Sequence, residues 1–257
     1  YTSLRRRVVE LRPRDEAEPE IRFETGPGIQ TQGDWADCGV WPLGDGAQEL
    51  FAYVAILGCS RMVAVRFATD KTRPTTLAAI VRCVDDLGGA TAEFLTDRDT
   101  ALMNGSRADG SPIYAPEWVD TAALLGTRQR ACRAYRAKTK GKVERIIREL
   151  KEDFLAWLTG QVLPERPTLA WYDEQARRWV LEVVAKRRHR TTKRIVGEAW
   201  QAERGLLTPV SRRLLARIDG QATLVPLPTP VRATQTAAAV GEAVEVRALA
   251  VYAELVP

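Results

Sequence analysis

Histidine is nearly absent from this sequence of 257 residues, which contains only His189. The four cysteines form no CxxC pair, so zinc fingers, histidine-dependent catalytic triads and a disulfide-stabilised scaffold are excluded. No apolar run approaches the roughly 20 residues that cross a bilayer, and no apolar signal segment follows the first residues. We therefore expect a reduced, cytoplasmic protein without a membrane partner.

Positive charge is concentrated in one region of the chain. Between residues 128 and 194 there are 19 Lys and Arg against 8 Asp and Glu, a net charge of +11. The rest of the chain carries 19 against 25, a net of −6, and the two parts sum to the formal charge of +5. A basic region beside acidic flanks is typical of a protein that binds a polyanion, although a solvated helical surface produces the same count.

The hydrophobic pattern predicts three strands followed by alternating helices and strands. Strand-like runs within 29–40, at 50–57 and at 62–69 are joined by short turns, which indicates an antiparallel meander. Short strands are predicted again at 92–96 and 127–132. This order predicts an α/β fold with a mixed five-stranded sheet covered by helices on both faces. The predicted helices are 75–87, 116–125, 140–158, 168–187 and 196–206, with a loop at 104–114.

Phosphodiester chemistry without a histidine base needs another way to activate a nucleophile. Two divalent metal ions about 4 Å apart can do this, one at the attacking oxygen and one at the leaving oxygen. Because Mg²⁺ prefers oxygen ligands, a few convergent carboxylates are the residues that such a site requires.

Two candidate carboxylates lie at predicted strands. Asp34 follows the small residue Gly33 within the first strand, where a buried charge costs on the order of several kcal/mol unless it is paired or metal-bound. Asp97 directly follows the strand at 92–96, and ligands of open α/β sheets bind beyond the carboxyl ends of strands. Asp37 and Asp99 are alternatives to them, and a surface aspartate or ordinary turn chemistry also accounts for each position.

Glu144 is the third candidate. On the predicted helix 140–158 it lies about 90° from the centre of the apolar stripe, so it can face a site while the helix stays packed. Lys140, Arg148 and Lys151 form a basic rim around it. An ordinary ion pair between Glu144 and Arg148 is the alternative interpretation.

Three segments resemble the catalytic core of DDE transposases and integrases, which has the ribonuclease H-like fold of retroviral integrases. The resemblance is strongest to the IstA-type transposases of bacterial insertion sequences, through the PGxxxQxDW pattern and the 46 residues between Asp97 and Glu144. It extends over roughly residues 20–205, and the sequence departs from it at Arg98, where asparagine is common in the wider family. The matching segments are GPGIQTQGDW (26–35), FLTDRDTA (94–101), KTKGKVERIIRELKEDF (138–154) and KRRHRTT (186–192).

The resemblance implies roles for individual residues and a division of the chain. Asp34, Asp97 and Glu144 would be the catalytic residues and would bind two Mg²⁺ or Mn²⁺ ions. The residues expected to bind DNA are Lys138, Lys140, Lys142, Arg145, Arg148 and Lys151. The implied segments are a linker from a missing N-terminal DNA-binding region at 1–20, the DDE core at 21–160, a helical extension at 161–209 and a small β-barrel-like module at 210–257.

The implied activity is that of a DNA transposase, which cleaves and joins DNA strands at insertion-element ends by two-metal phosphodiester transfer. The implied partners are double-stranded DNA, as element ends and target, and further copies of the chain assembled on that DNA in the bacterial cytoplasm, in association with the nucleoid. The sequence has no GxxxxGK[ST] motif, so an ATP-dependent step would need a separate AAA+ ATPase helper protein. A ribonuclease H-like nuclease that only hydrolyses and a catalytically silent DNA-binding scaffold are the alternatives.

Overall fold

A computed structural model describes residues 24–132 and 141–220 of the chain. Its strands are β1 (Gln30–Leu43), β2 (Gly46–Leu57), β3 (Val63–Ala68), β4 (Glu93–Thr96), β5 (Met103–Ser106), β6 (Pro112–Tyr114) and β7 (Arg128–Ala131). Its α-helices are α1 (Arg73–Asp86), α2 (Pro116–Leu125), α3 (Gly141–Glu149), α4 (Leu155–Thr159), α5 (Leu169–Trp179), α6 (Val196–Arg204) and α7 (Arg212–Ile218). A π-helical segment, Leu150–Phe154, joins α3 to α4, and a second, Val180–Val184, continues α5.

Five strands form one mixed sheet in the order β3-β2-β1-β4-β7. The first three are antiparallel and are joined by short turns, of which the β1–β2 turn contains Gly44 with a φ of 62°. β4 and β7 run parallel to β1. The connections that contain α1 and α2 return the chain to the end of the sheet at which β1 begins. The predicted mixed five-stranded sheet with flanking helices is confirmed.

The two faces of the sheet are covered by different helices. On one face the Trp35 indole donates a hydrogen bond of 3.3 Å to Thr76 of α1. On the other face the Phe67 ring lies 6.0 Å from the ring of Phe154, in the π-helical segment that follows α3. Side chains alternate between these faces along each strand, so neighbouring residues of β1 meet different helices.

The helical residues beyond 160 pack onto the same sheet. Asp173 of α5 accepts hydrogen bonds from the Phe67 backbone at 2.8 Å and from Arg66 at 3.2 Å, both in β3. The Tyr172 hydroxyl donates a bond of 2.6 Å to the carbonyl of Pro42 in β1. Among the described residues, no helix has both the length and the apolar character needed to cross a bilayer.

The structure differs from the expectation in two segments. Residues predicted as a loop at 104–114 contain the β5–β6 hairpin, with Met103 opposite Tyr114. Helix α7 lies within the first residues of the predicted β-barrel-like module, because Ser211 accepts a hydrogen bond from the Leu214 backbone and caps a helical turn. The rest of that module and the predicted linker at 1–20 lie outside the described residues.

Candidate active site

The first two candidate carboxylates lie on β1 and directly after β4, which is its parallel neighbour. Gln32 of β1 is paired with Leu95 of β4. β4 ends at Thr96, and the same register carried two residues further would place Asp34 level with Asp97 on the same face of the sheet. Asp34 is half-buried, and Asp97, the first residue after β4, is exposed. Both carboxylates therefore lie at the carboxyl end of β4.

The two alternative aspartates stabilise local turns. Asp37 Oδ1 accepts a hydrogen bond of 3.0 Å from the Gly39 backbone, where β1 shifts its register against β2. Asp37 is three residues from Asp34 and therefore lies on the opposite face of the strand. Asp99 Oδ1 accepts a bond of 2.8 Å from the backbone N–H two residues later and stabilises the loop after β4. Asp34 Oδ1 likewise accepts a bond of 2.9 Å from the Trp35 backbone, so these contacts do not separate the candidates, and the choice of Asp97 over Asp99 stays a prediction.

Gly33 lets three strands pack closely beside Asp34. A Cβ atom at this position would contact the Tyr53 hydroxyl and would lie 2.8 and 2.9 Å from two ring atoms of Phe94. Tyr53 lies on β2 and Phe94 on β4, so a residue without a side chain is required between them. The Gly33–Asp34 pair thus combines close packing on one face with an acidic side chain on the other.

Helix α3, which carries Glu144, covers the face that bears Asp34. Asp34 is opposite Val54, and Val54 is opposite Val65, which lies two residues before Phe67 in β3. This row of side chains therefore points to the helix that continues α3, and α3 itself packs against β1 and β2. All three candidate carboxylates belong to one face of the sheet or to the helix that covers it.

The contacts of α3 indicate which flank of the helix carries Glu144. Lys142 Nζ donates a hydrogen bond of 3.0 Å to the Gly58 carbonyl, just beyond β2, and Glu149 accepts one of 2.8 Å from Arg187. At 100° per residue, Glu144 lies roughly 150° around the helix axis from these two anchored residues. Glu144, which is exposed, therefore lies on the flank of α3 away from Gly58 and Arg187.

The cations predicted to surround Glu144 lie on its flank of the helix. Arg148 and Lys151 are both exposed and fall within roughly 40° of Glu144 around the axis. Burial raises the pKa of the Cys38 thiol in β1 to about 11, and the nearby charge of Lys151 lowers it, which indicates that Lys151 lies near β1. Among the described residues, Glu144 and Arg148 do not form the ion pair that was the alternative interpretation.

Two other residues predicted to bind DNA make contacts within the protein. Lys142 also donates a hydrogen bond of 3.2 Å to Thr25, and burial followed by the charge of Arg61 lowers its pKa to about 8. Arg145 is exposed and bonds Glu149 at 3.0 Å. Lys142 therefore attaches α3 to the sheet, and its predicted contact with phosphate stays a prediction. Lys138 and Lys140 lie outside the described residues.

The oxygen donors of this face suit a hard divalent cation, but the three carboxylates do not form a closed cluster. Among residues 24–132 and 141–220, no group of three or more His, Cys, Asp or Glu side chains is close enough to hold a metal ion. Asp34 in β1, Asp97 directly after β4 and Glu144 in the first turn of α3 carry the carboxylate oxygens that Mg²⁺ prefers, and they are the residues that would have to converge to hold it.

Arg98 is a residue beside the site whose role the sequence did not reveal. Its guanidinium donates three hydrogen bonds, to the Cys132 carbonyl at 3.2 Å, the Ser106 hydroxyl at 2.8 Å and the Gly110 carbonyl at 2.7 Å. It therefore connects the turn after Asp97 to the β5–β6 hairpin and to the end of β7. The only signal in the sequence was the departure from the asparagine that is common at this position.

Solved structures with a similar fold come from retroviral integration complexes. The structure is similar to a chain of the simian T-cell lymphotropic virus intasome solved with PP2A regulatory subunit B56 gamma. The TM-score is 0.54 at 16% identity, and the match covers 82% of this chain and 62% of that one. The catalytic core domain of HTLV-2 integrase in complex with magnesium aligns over 69% of this chain and 99% of that one, with a TM-score of 0.48 and 15% identity. The fold is the ribonuclease H-like fold of integrase catalytic cores.

The sequence relatives are transposases of insertion sequence elements. The transposase for IS640 of Shigella sonnei is 30% identical over 194 residues, which are 76% of this chain and 59% of that protein. The transposase for IS21 of Pseudomonas aeruginosa is 30% identical over 190 residues, or 74% and 47% of the two chains. The putative transposase for IS5376 of Geobacillus stearothermophilus is 29% identical over 183 residues, or 71% and 44%. No protein-family model matches the sequence.

The resemblance to insertion-sequence transposases with an integrase-like core is thereby confirmed. The chain spans about half the length of the curated relatives that it matches.

Proposed function

We propose that this protein is a DNA transposase that cleaves and joins DNA strands at the ends of an insertion element. The observation that carries the proposal is the parallel pairing of β1 with β4, in which Gln32 and Leu95 stand opposite each other two residues before Asp34 and Asp97, together with the packing of the helix that bears Glu144 on β1. Its sequence relatives are transposases of insertion sequence elements, which supports the same reaction class.

In this proposal Asp34, Asp97 and Glu144 bind two Mg²⁺ or Mn²⁺ ions. When bound, the ions supply activation of the attacking oxygen and stabilisation of the leaving oxygen. Asp34 and Asp97 hold the site on the rigid sheet, and Glu144 completes it from α3. Water first attacks a phosphodiester at the element end and releases a 3′-hydroxyl, which then attacks a phosphodiester of the target DNA.

The basic residues around Glu144 would hold the DNA backbone. Arg148 and Lys151 are exposed beside Glu144, so their charges can neutralise phosphates next to the reacting one. Lys138, Lys140, Lys142 and Arg145 are proposed to extend this contact. We further propose that copies of the chain assemble on two element ends, that an AAA+ ATPase helper supplies any ATP-dependent step, and that the protein acts on the nucleoid in the bacterial cytoplasm.

A strand-transfer assay with Mg²⁺ or Mn²⁺ and element-end DNA tests the proposal. We expect the wild-type protein to cleave and join, and Asp34→Asn, Asp97→Asn and Glu144→Gln each to lower both activities by at least about 10²-fold, because each removes a charged ligand. Binding of DNA should persist in all three variants, since it depends on the surrounding cations.

Matched controls come from acids of the same elements. Asp37→Asn in β1 and Glu152→Gln in the π-helical segment should keep the activity, because Asp37 stabilises a bulge and Glu152 is exposed. Hydrolysis without joining would identify a nuclease instead. Binding of DNA with no chemistry in the wild type would identify a silent scaffold.

A further inference from the structure

A second cluster of cations lies outside the proposed site, in the turn between α5 and α6. Residues 186–194, which we name the basic turn, contain six Lys and Arg and no Asp or Glu. Only Arg187 of these is paired with an acidic residue in the described part of the chain. The five exposed cations are Lys186, Arg188, Arg190, Lys193 and Arg194.

The backbone of the basic turn is held by its own hydrogen bonds. Arg188 forms an isolated β-bridge with Ile195, and the His189 backbone donates to Arg194 and accepts from Lys193, both at 2.8 Å. Lys193 adopts a φ of 56°, which closes the loop tightly. The cations thus project from a defined loop, and ordering them against a ligand costs less conformational entropy than ordering a flexible tail.

His189 stabilises this turn from within. Its Nδ1 accepts a hydrogen bond of 3.3 Å from the Thr192 backbone, which requires an unprotonated nitrogen. Burial, followed by the charges of Arg61 and Arg145, lowers the pKa of His189, so the ring stays neutral near pH 7. The only histidine of the chain therefore supports the loop that presents the cations.

Arg187 attaches the basic turn to the helix that carries Glu144. It donates hydrogen bonds of 2.8 Å to Glu149 of α3 and of 2.8 Å to Asp153 in the following π-helical segment. These acids lie on the flank of the helix opposite Glu144, so the turn extends the basic surface across the helix. Arg145 lies between α3 and the basic turn, because it bonds Glu149 and its charge acts on His189.

We propose that the basic turn is a second DNA-binding element, which holds backbone phosphates on the far flank of α3 from Glu144. Five like charges on one loop, with no acidic partner among the described residues, are stabilised when a polyanion neutralises them. A duplex that crosses α3 would contact Arg148 and Lys151 on one flank and the basic turn on the other. The inference rests on the proposed action on DNA and adds residues to that site.

The salt dependence of binding to a labelled DNA duplex of random sequence tests this. Each lost phosphate contact lowers the slope of log K against log salt by about 0.9, so Arg190→Gln/Lys193→Gln should lower its magnitude by up to about 1.8. The thermal unfolding of this double variant should match that of the wild type, because Arg190 and Lys193 are exposed and form no described ion pair.

The charge-matched control is Arg212→Gln/Arg213→Gln. Both arginines are exposed at the start of α7, which packs against α1 on the opposite face of the sheet. The control should keep the wild-type slope, and an equal loss in both variants would reduce the effect to net charge and overturn the inference. If Arg190→Gln/Lys193→Gln binds DNA with the same salt slope as the wild type, the inference is overturned as well. A wild type that does not bind the duplex would contradict the proposed function itself.

Discussion

At the residue scale, the two candidate aspartates depend on the residue beside each of them. Gly33 precedes Asp34 and gives the rings of Tyr53 and Phe94 the space that a side chain would fill. Arg98 follows Asp97 and bonds three acceptors from two other parts of the chain. The positions of the carboxylates are therefore set by neighbours that carry none of the proposed chemistry.

Gly33→Ala should destabilise the protein by about 1–3 kcal/mol, because the added methyl group overlaps Tyr53 and Phe94. Urea unfolding followed by circular dichroism measures the change. Gly46→Ala in β2 is the control, since a Cβ atom there meets nothing within 4 Å, and its unfolding free energy should stay within about 0.5 kcal/mol of wild type. Equal stability of the two variants would contradict the packing described for Gly33.

Arg98→Ala should loosen the β5–β6 hairpin without unfolding the sheet. Loss of its hydrogen bonds should lower the amide-exchange protection of the hairpin by about tenfold, which corresponds to roughly 1.4 kcal/mol. Hydrogen exchange read by mass spectrometry measures this. Arg107→Ala is the control, because the Arg107 side chain bonds Ser111 and Pro112 within its own hairpin. If both variants exchange alike, Arg98 does not attach the hairpin to β7.

At the element scale, α6 is attached to the sheet by one buried carboxylate. Glu203 is 1% exposed, and its two oxygens accept hydrogen bonds of 2.9 Å from the backbones of Gly28 and Ser60. Gly28 lies just before β1 and Ser60 lies in the β2–β3 turn. One side chain thus binds both segments at the edge of the meander.

Glu203→Gln should cost about 2–3 kcal/mol of unfolding free energy, because the amide NH₂ would face a backbone N–H where a carboxylate oxygen now accepts. Thermal and urea unfolding measure the loss. Glu198→Gln, at an exposed position of the same helix, should change stability by less than about 0.5 kcal/mol. A Glu203 variant as stable as this control would show that the two backbone bonds contribute little.

Most elements could be predicted from the sequence because their periodicity is local. The three-strand meander, the strand before Asp97 and the helix of Glu144 all have an apolar pattern that matches their burial. The β5–β6 hairpin could not be predicted, since its residues are polar and rich in glycine and its strands are held by Arg98 and Arg73 from elsewhere in the chain. Such contacts join residues that only the folded chain brings together.

At the scale of the whole molecule, the helices beyond residue 160 are part of the core that the sheet builds. Phe154, Tyr172 and Trp179 are all fully buried, and the ring of Phe154 contacts that of Trp179 at 5.5 Å. The extension that the resemblance implied at 161–209 therefore covers apolar surface of the sheet and of the helix containing α3. We expect it to be required for folding.

A chain that ends at residue 160 should lose cooperative thermal unfolding and should bind a hydrophobic dye, because Phe67 and Phe154 would be exposed. A chain that ends at residue 220 keeps every described contact and should unfold cooperatively. Calorimetry and dye fluorescence distinguish these outcomes. A cooperative transition in the shorter chain would mean that the sheet folds without α5 and α6.

The candidate site could be predicted only in part, because some of its contacts join residues that are distant in the sequence. The sequence indicated Asp34, Asp97 and Glu144 through their places at two strands and a helix, and the structure has Asp34 in β1, Asp97 directly after the neighbouring β4 and Glu144 in the helix that packs on β1 and β2. The inward contact of Lys142 could not be predicted, because Thr25 and Gly58 lie more than 80 residues away in the chain. Charge alone does not distinguish a cation that binds a ligand from one that supports a helix.

The π-helical segment Leu150–Phe154 determines how α3, which carries Glu144, is rotated relative to α4. Its wide turn, in which the Leu155 backbone N–H bonds the Leu150 carbonyl, takes up one more residue than an α-helical turn would. Because this wide turn absorbs the extra residue, α3 keeps nearly the phase that it would have in a regular helix one residue shorter. Converting the turn to α-helical bonding with all residues kept would instead rotate α3 by about 100° relative to α4. With the aromatic end fixed by Phe154, that rotation would carry Glu144 to another side of the helix, so the π-helical turn fixes the direction of Glu144.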